Sequence, residues 1–409
     1  MTPSAAPSTP QERLSLVPGR TAALAVLTAC LFVVGTAEWV MVGLLPQLSA
    51  DLHRPLPAVG SLVTWYALVV TVAGPLVTLA MLRLPRRRAL LVLLGVFVAG
   101  NLAAASAGGL GTLATARMLT ALTHSTAFAV AVVIAVTMTP VSLRGRAIAV
   151  VTAGWNLATV LGAPLGTWLG DQFGRRTTFW AISGLAGAVL CAVTVLVRPP
   201  APEEAPRPRG EVRGMLRPRA ALVLAIIVVA QAGLFTTYTY IAPLLRQVSG
   251  FTDSAVTTVL ALFGLGAVAG NILGGHLTDR APWAGLCTLL TALAAVLAAF
   301  TLTSEIQWTA AATVLVLGVI TAALIPLLQD RALAAAPEAP TLVTAISASA
   351  FNLGVAGGSQ LGGQALTTGL LLHDLPWVAA LAAAGAVPLA AATARRTRIT
   401  AATAATARQ

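Results

Sequence analysis

Long apolar runs recur along the whole chain, and each is long enough to cross a lipid bilayer as a helix of about 20 residues. Charged residues are only 9% of the 409 residues, whereas soluble domains carry about 25%. We therefore predict an all-α membrane protein with twelve transmembrane helices. The segments lie at approximately 22–48, 59–81, 88–109, 113–138, 147–169, 178–197, 220–245, 255–277, 284–302, 308–329, 342–370 and 376–394.

The arginines predict the orientation of these segments. All 25 basic residues are Arg, and with the N-terminus inside the cell 20 of them fall on the cytoplasmic side and four outside. Membrane proteins carry an excess of positive charge in their cytoplasmic loops. We expect a multi-pass protein of the cytoplasmic (inner) membrane with both termini in the cytoplasm. The net charge of +12 then indicates topology rather than nucleic-acid binding.

The longest polar interval divides the chain into two sets of six segments. It covers residues 198–219 and is rich in Pro and charge, which is typical of a flexible linker. We predict a disordered cytoplasmic tail (1–20), an N-terminal six-helix half (21–197), a cytoplasmic linker (198–219), a C-terminal six-helix half (220–394) and a second cytoplasmic tail (395–409). Transporters that bind cargo at the membrane midplane between two repeats have this layout.

Ionisable residues are scarce inside the segments, and three of them are candidates for proton coupling. Glu38 is the one acid deep in a segment, and Arg117 and His124 lie on one face of the fourth. A charge in the membrane is costly and usually faces the protein interior. We expect Glu38 to carry the proton, although it could only hydrogen-bond a neighbouring helix. Arg117 could pair with Glu38 or fix its own helix, and His124 could pack or relay protons.

Aromatic and amide side chains near the midplane are candidates for lining an amphipathic cargo pocket. Some of the Trp and Tyr residues must instead belong to the belts at the membrane surface. We expect a neutral or weakly charged, partly apolar cargo, because the pocket lacks spare charges. The candidates are Trp65, Tyr66, Trp155, Asn156, Gln231, Tyr238 and Asn352.

Several kinds of chemistry have no counterpart in the sequence. A nucleotide-binding GxxxxGK[ST] loop needs a lysine, and the chain has none, which argues against ATP-driven transport by this chain alone. The sequence shows no metal-ligand or nucleophile pattern, so we expect no cofactor, no metal and no enzyme activity. The three cysteines are expected to be inert core residues.

The chain resembles the major facilitator superfamily, in particular its twelve-span drug:proton antiporters and the bacterial chloramphenicol-resistance and arabinose-efflux permeases. The resemblance is spread over most of the chain. It is carried by GTAEWVMVGLLPQLSADL (35–52), TARMLTALTHS (115–125), LGAPLGTWLGDQFGRRTTFWAI (161–182), YTYIAPLL (238–245), GLGAVAGNILGGHLTDR (264–280) and SAFNLGVAGGSQLGG (349–363).

The resemblance implies roles for further residues. Arg117 matches the arginine of the family's proton-transfer motif, and Glu38 lies where relatives carry a helix-1 acid. The antiporter motif would comprise Gly154, Gly162, Pro164 and Gly166, and the cytoplasmic gating motif Gly275, Asp279 and Arg280.

The loop at 79–88 departs from the family pattern. It reads LAMLRLPRRR and has Arg83 and Arg86 where the gating motif has Asp and Gly. The resemblance therefore implies a complete gate only in the second half of the chain. Ala163 also replaces the glycine that precedes Pro164 in the antiporter motif.

The sequence as a whole predicts proton-coupled efflux of small, partly apolar molecules such as drugs. Export of a sugar, nucleoside or secondary metabolite by the same mechanism is an alternative, and so is a non-transporting membrane sensor or scaffold. The expected partners are the cargo, protons and the lipid bilayer, and a monomer is expected to suffice. Symport into the cell is disfavoured by the segment around Pro164.

Overall fold

The apolar segments form helices throughout the part of the chain that the computed structural model describes, which is residues 18–81, 83–140, 143–197, 218–336 and 340–395. No strand occurs in these ranges. The helices are α1 (Pro18–Asp51), α2 (Leu56–Met81), α3 (Arg86–Ser106), α4 (Leu110–Thr137), α5 (Arg144–Phe173), α6 (Arg175–Leu196), α7 (Arg219–Gln247), α8 (Asp253–Arg280), α9 (Pro282–Thr303), α10 (Gln307–Ala335), α11 (Pro340–Thr367) and α12 (Leu372–Arg395).

The predicted all-α membrane fold is confirmed by these helices. Within the described ranges, every helix except α11 is long and apolar enough by itself to cross a bilayer. Helix α11 occupies the segment predicted at 342–370 and is the one richest in Gly, Ser, Asn and Gln. Most of the two predicted tails and of the predicted linker lies outside the described residues, whereas residues 18–20 belong to α1 and Arg395 to α12.

Two glycines form the short turns between consecutive helices. Gly174, between α5 and α6, has φ +83°, and Gly369, between α11 and α12, has φ +98°. A side chain would strain the backbone in this left-handed region, which glycine enters freely. The chain can therefore reverse direction within one residue at Gly174 and within residues 368–371 at Gly369.

Small residues bring α5 against α1 and α11 against α7 in the same manner. On each pair, glycines spaced by eight residues on α5 and by four on α11 stand against backbone or threonine atoms of the partner helix, so a Cβ would overlap the partner. Helices in membranes pack closely through such residues. The first pair joins Gly154 to Thr28 and Gly162 to Thr36, and the second joins Gly354 to Val228, Gly358 to Ala232 and Gly362 to Thr236.

Helices α5 and α7 are both irregular at the level of these contacts. Residues Ala158–Gly162 of α5 form a π-helical turn. An α-helical segment, Ala163–Phe173, follows it and has Pro164 in its first turn. Pro164 has no N–H to donate to the preceding turn, and irregular turns of this kind occur where a proline interrupts the helical hydrogen bonds. Helix α7 is interrupted after Tyr238 and resumes at Ile241. Such irregular turns inside helices often mark functional sites.

The buried apolar residues form cores that differ between the two ends of the helices. We call the ends at the α1–α2 and α11–α12 turns the outer ends, and those nearest the chain termini the inner ends. Near the outer ends one cluster combines residues of both sets of six helices, among them Leu45, Leu62, Tyr240 and Leu375. Near the inner ends, the described residues form two separate clusters. One belongs to α1–α6, and the other belongs to α7, α10 and α11. The two sets are therefore packed together at the outer ends and apart at the inner ends.

Candidate functional site

A buried arginine lies at the centre of the first set of helices. Arg117 on α4 is 2% exposed. The carbon of its guanidinium group lies 4.5 Å from the ring centroid of Tyr66 on α2, which is a cation–π contact. Its Nε and Nη1 atoms are buried and have no hydrogen-bond partner among the described residues. An unpaired guanidinium of this kind attracts acceptors and negative charge.

Aromatic rings connect this arginine to α5. The hydroxyl of Tyr66 lies 3.0 Å from Nδ1 of His124 on α4. The His124 ring contacts Trp155 on α5 with centroids 5.0 Å apart, and the Phe128 ring contacts Trp155 at 5.6 Å. We call Arg117, Tyr66, His124, Trp155 and Phe128 the arginine cluster. The predicted face of Arg117, His124 and Phe128 on α4 is thus turned inward.

Glu38 lies on α1 beside this cluster. Its Oε2 atom is buried and without a hydrogen-bond partner among the described residues. It forms no ion pair with Arg117 within 4.0 Å, but the two charges are near enough to interact electrostatically. One helical turn away, a Cβ on Gly35 would contact the Trp155 ring at 3.3 Å. The acid therefore faces the protein, next to a cation that it does not neutralise directly.

A second group of rings lies on the other side of α1, and the sequence interpretation missed most of it. Trp39 lies 6.0 Å from both Phe235 and Tyr238 of α7, and Tyr238 lies 4.3 Å from Phe263 of α8. Phe351 of α11 contacts Phe235 at 6.3 Å. We call Trp39, Phe235, Tyr238, Phe263 and Phe351 the aromatic cluster. The position of Trp39 directly after Glu38 was the one signal that could have identified it from sequence.

Three polar atoms near the aromatic cluster are buried and unpaired. Nε1 of Trp39, Oε1 of Gln231 and Oδ1 of Asn352 have no hydrogen-bond partner among the described residues. Gln231 on α7 is 3% exposed, and Asn352 on α11 is 5% exposed. Burying such groups without a partner costs free energy. A ligand that supplied one acceptor and one or two donors could remove this cost.

Two of the predicted cargo residues lie apart from both clusters. Trp65 is 49% exposed and shares one face of α2 with the exposed Val72, Leu76 and Leu79, the pattern expected for lipid contact. Asn156 is exposed on α5, where its Oδ1 accepts a hydrogen bond from Nδ2 of Asn271 on α8 at 3.4 Å. The other candidates lie in the arginine cluster, the aromatic cluster or beside them.

The predicted motif residues have different surroundings. Gly154, Gly162 and Gly166 lie where α5 contacts α1, and Pro164 is buried beside them. The gating residues Asp279 and Arg280 at the inner end of α8 are exposed and form no ion pair with any residue of the described ranges. A Cβ on Gly275 would meet nothing within 4 Å. The antiporter glycines thus set the packing of α1, whereas the gating residues are not engaged.

Comparisons with known proteins agree with this architecture. The sequence model of the Major Facilitator Superfamily matches residues 27–359. An inner membrane transport protein, YdhP, of Escherichia coli K12 is 35% identical over 89% of this chain and 94% of its own length. A chloramphenicol resistance protein of Streptomyces lividans is 31% identical over 85% and 90%. A probable sugar efflux transporter of Mannheimia succiniciproducens is 30% identical over 83% and 86%.

A solved structure has a similar fold. It is a bacterial homologue of the human lysosomal transporter Spinster, determined in an inward-facing, unoccupied conformation. The TM-score is 0.69 at 15% sequence identity, and the match covers 95% of this chain and 96% of that one.

Proposed function

We propose that this chain, which belongs to the Major Facilitator Superfamily and is a multi-pass membrane transporter, exports small, partly apolar molecules in exchange for protons. The observation that carries the proposal is the position of Glu38. It is an acid within a membrane helix, with a buried unpaired oxygen, between an unpaired arginine on one side and a group of aromatic rings on the other.

The proposed exchange follows from the two charge states of Glu38. With the acid protonated, the group is neutral and its burial costs little; with the acid ionised, the charge needs Arg117 or solvent. A proton taken up from outside would be released inside when the helices rearrange and the surroundings of Glu38 change. Arg117 favours release because its positive charge stabilises the carboxylate.

The arginine cluster would keep the coupling residues in place while Glu38 changes charge. The Tyr66 ring holds the Arg117 guanidinium, and the Tyr66 hydroxyl is itself fixed by His124. His124 in turn packs on Trp155, which contacts α1 near Gly35. This arrangement favours a positioning role for His124 over proton relay, because its Nδ1 is already engaged with Tyr66.

The aromatic cluster would hold the cargo. Rings from four helices provide flat apolar surface, and Trp39 adds a free N–H donor next to the proton-carrying acid. Binding sites of this kind combine apolar walls with few polar groups that fix orientation. Cargo and proton would then meet on adjacent residues of α1, so that occupation of one site bears on the other.

Sugar export is the second candidate, and the buried amides favour it. The unpaired oxygens of Gln231 and Asn352 are acceptors, and a hydroxylated cargo supplies donors. One relative is named a probable sugar efflux transporter, and another a chloramphenicol resistance protein.

Inside-out vesicles with a pH-sensitive dye distinguish these proposals. Acidifying the vesicle interior and then adding cargo should release protons if exchange occurs. We expect release with uncharged aromatic compounds such as chloramphenicol. Release with sugars alone would favour the second candidate. If no compound releases protons and Glu38→Ala protein has the cellular effect of the wild type, the sensor or scaffold interpretation is correct.

A further inference from the structure

A buried ion pair joins the two sets of helices at their outer ends. Asp171, in the last turn of α5, accepts a hydrogen bond from Nη2 of Arg246 on α7 at 2.9 Å. The side chain of Asp171 is 3% exposed and that of Arg246 is 17% exposed. Because α5 belongs to the first six helices and α7 to the last six, this pair bridges the seam between them.

Each partner of the pair is also held by its own set of helices. Gln47 on α1 donates through Nε2 to the same Oδ1 atom of Asp171. On the other side, Nε of Arg246 lies 3.1 Å from Oδ1 of Asp253, the first residue of α8. Four side chains thus form a small network, with two on each side of the seam. Among them, only the contact between Asp171 and Arg246 crosses the seam.

A second contact closes the same seam between α2 and α11. Tyr240, at the interruption of α7, is fully buried and donates to the carbonyl oxygen of Ser359 at 3.3 Å. Ser359 donates through Oγ to the carbonyl oxygen of Gly60 on α2 at 3.1 Å. Gly60 leaves room for the Tyr240 hydroxyl, which a Cβ would overlap. The outer ends are therefore closed by polar contacts as well as by the shared apolar core.

At the inner ends the described residues form no ion pair between the two sets, and the hydrogen bonds that join α2 to α11 (Thr71 to Ser349) and α8 to α5 (Asn271 to Asn156) lie further along the helices. The apolar clusters at the inner ends are separate for the two sets of helices, and the gating residues Asp279 and Arg280 are exposed and unpaired. The two sets of helices are thus in close contact at their outer ends and less closely packed against each other at their inner ends.

We infer that the Asp171–Arg246 pair is a lock that holds the outer mouth shut while the inner side is open. This inference rests on the proposed function. When the mouth is closed, the pair is shielded from water, and losing one partner leaves a costly buried charge. When the mouth opens, both groups become hydrated, and an exposed pair contributes little. The closed arrangement therefore depends on both partners, whereas the open arrangement does not, which is what a lock between alternating states requires.

Helix α1 connects this lock to the proton-carrying acid. Gln47 lies nine residues after Glu38, which is about 13 Å along a helix at 1.5 Å per residue. Between them α1 is fixed to α5 by the contacts of Gly166 with Val40 and of Gly170 with Leu44. A shift of α1 that follows a change in the charge of Glu38 would therefore move Gln47 and Asp171 together.

Distance measurements between spin labels test the lock without requiring transport. Labels are placed at Arg54→Cys, in the exposed α1–α2 turn, and Leu371→Cys, in the exposed α11–α12 turn, after replacement of the three native cysteines. In lipid nanodiscs we expect one short distance for the parent protein. Asp171→Asn, a nearly isosteric change, should add a second population at longer distance, and Arg246→Gln should do the same.

Asp253→Asn is the matched control, because it removes the other ion pair of Arg246 without breaking a contact across the seam. It should leave the distance distribution of the parent unchanged. The lock is refuted if Asp171→Asn and Arg246→Gln both keep the parent distribution, or if Asp253→Asn broadens it equally. If the lock fails in this way while proton-driven exchange persists in vesicles, the proposed function stands. The reverse outcome would remove the proposed function and leave the lock as a structural finding.

Discussion

The guanidinium carbon of Arg117 lies 4.5 Å from the ring centroid of Tyr66, and this ring is a stabilising partner of a cation buried within the membrane helices. The arginine has two nitrogens without hydrogen-bond partners among the described residues. The ring thus holds the cation in place and leaves its hydrogen-bonding capacity free. In the proposed cycle that capacity is used by ionised Glu38.

The hydroxyl group and the ring of Tyr66 should therefore make separable contributions to the stability of the protein. Tyr66→Phe keeps the ring and loses one hydrogen bond, worth about 1 kcal/mol. Tyr66→Leu also loses the cation–π contact, worth about 2 kcal/mol where water is excluded. We expect thermal unfolding in detergent to show a larger loss of stability for Tyr66→Leu than for Tyr66→Phe. Equal losses would contradict the assigned role of the ring; Trp65→Leu, on the exposed face of α2, is the control.

The packing of α5 on α1 predicts a difference between two glycines of one helix. In Gly154→Ala the new methyl group would overlap the carbonyl oxygen of Thr28, whereas in Gly145→Ala it would meet nothing within 4 Å. Overpacking costs about 1–3 kcal/mol. We expect Gly154→Ala to lower the melting temperature and Gly145→Ala to leave it equal or slightly higher. A melting temperature of Gly154→Ala equal to that of the wild type would show that α1 and α5 are not in close contact.

The unpaired N–H of Trp39 predicts a role in cargo affinity. Trp39→Phe keeps an aromatic ring beside Phe235 and Tyr238 but removes the donor. The lost hydrogen bond, about 1–1.5 kcal/mol, corresponds to roughly a tenfold change in affinity. We expect a KM for cargo about tenfold higher with little change in maximal rate. Trp308→Phe, at a side chain that is 87% exposed, should behave as wild type, and an unchanged KM in Trp39→Phe would place the cargo elsewhere.

Sequence reasoning succeeded where a single helix carries the information. Length and apolarity are properties of one segment, so the helices were predictable, as was the inward-facing stripe of Arg117, His124 and Phe128 on α4.

Contacts between helices were not predictable in the same way. Trp39 and Phe263 join one cluster because α1 and α8 meet in space, and no spacing within either helix encodes that meeting. Trp65 and Tyr66 are neighbours in sequence, yet one is 49% exposed and the other 4% exposed, since successive residues of a helix face different directions. Asp171 and Arg246 lie at the outer ends of α5 and α7, just beyond the segments predicted at 147–169 and 220–245, and no spacing within either segment encodes their contact.

The exchange of cargo for protons is tested most directly by Glu38→Gln in reconstituted vesicles. Glutamine keeps the size and hydrogen-bonding groups of the side chain but carries no titratable proton. Two processes are measured on the same preparation: exchange of labelled for unlabelled cargo, which needs no net proton movement, and accumulation of cargo against its gradient driven by a pH difference. We predict that Glu38→Gln retains the first and loses the second. Accumulation by Glu38→Gln at the wild-type level would contradict the account.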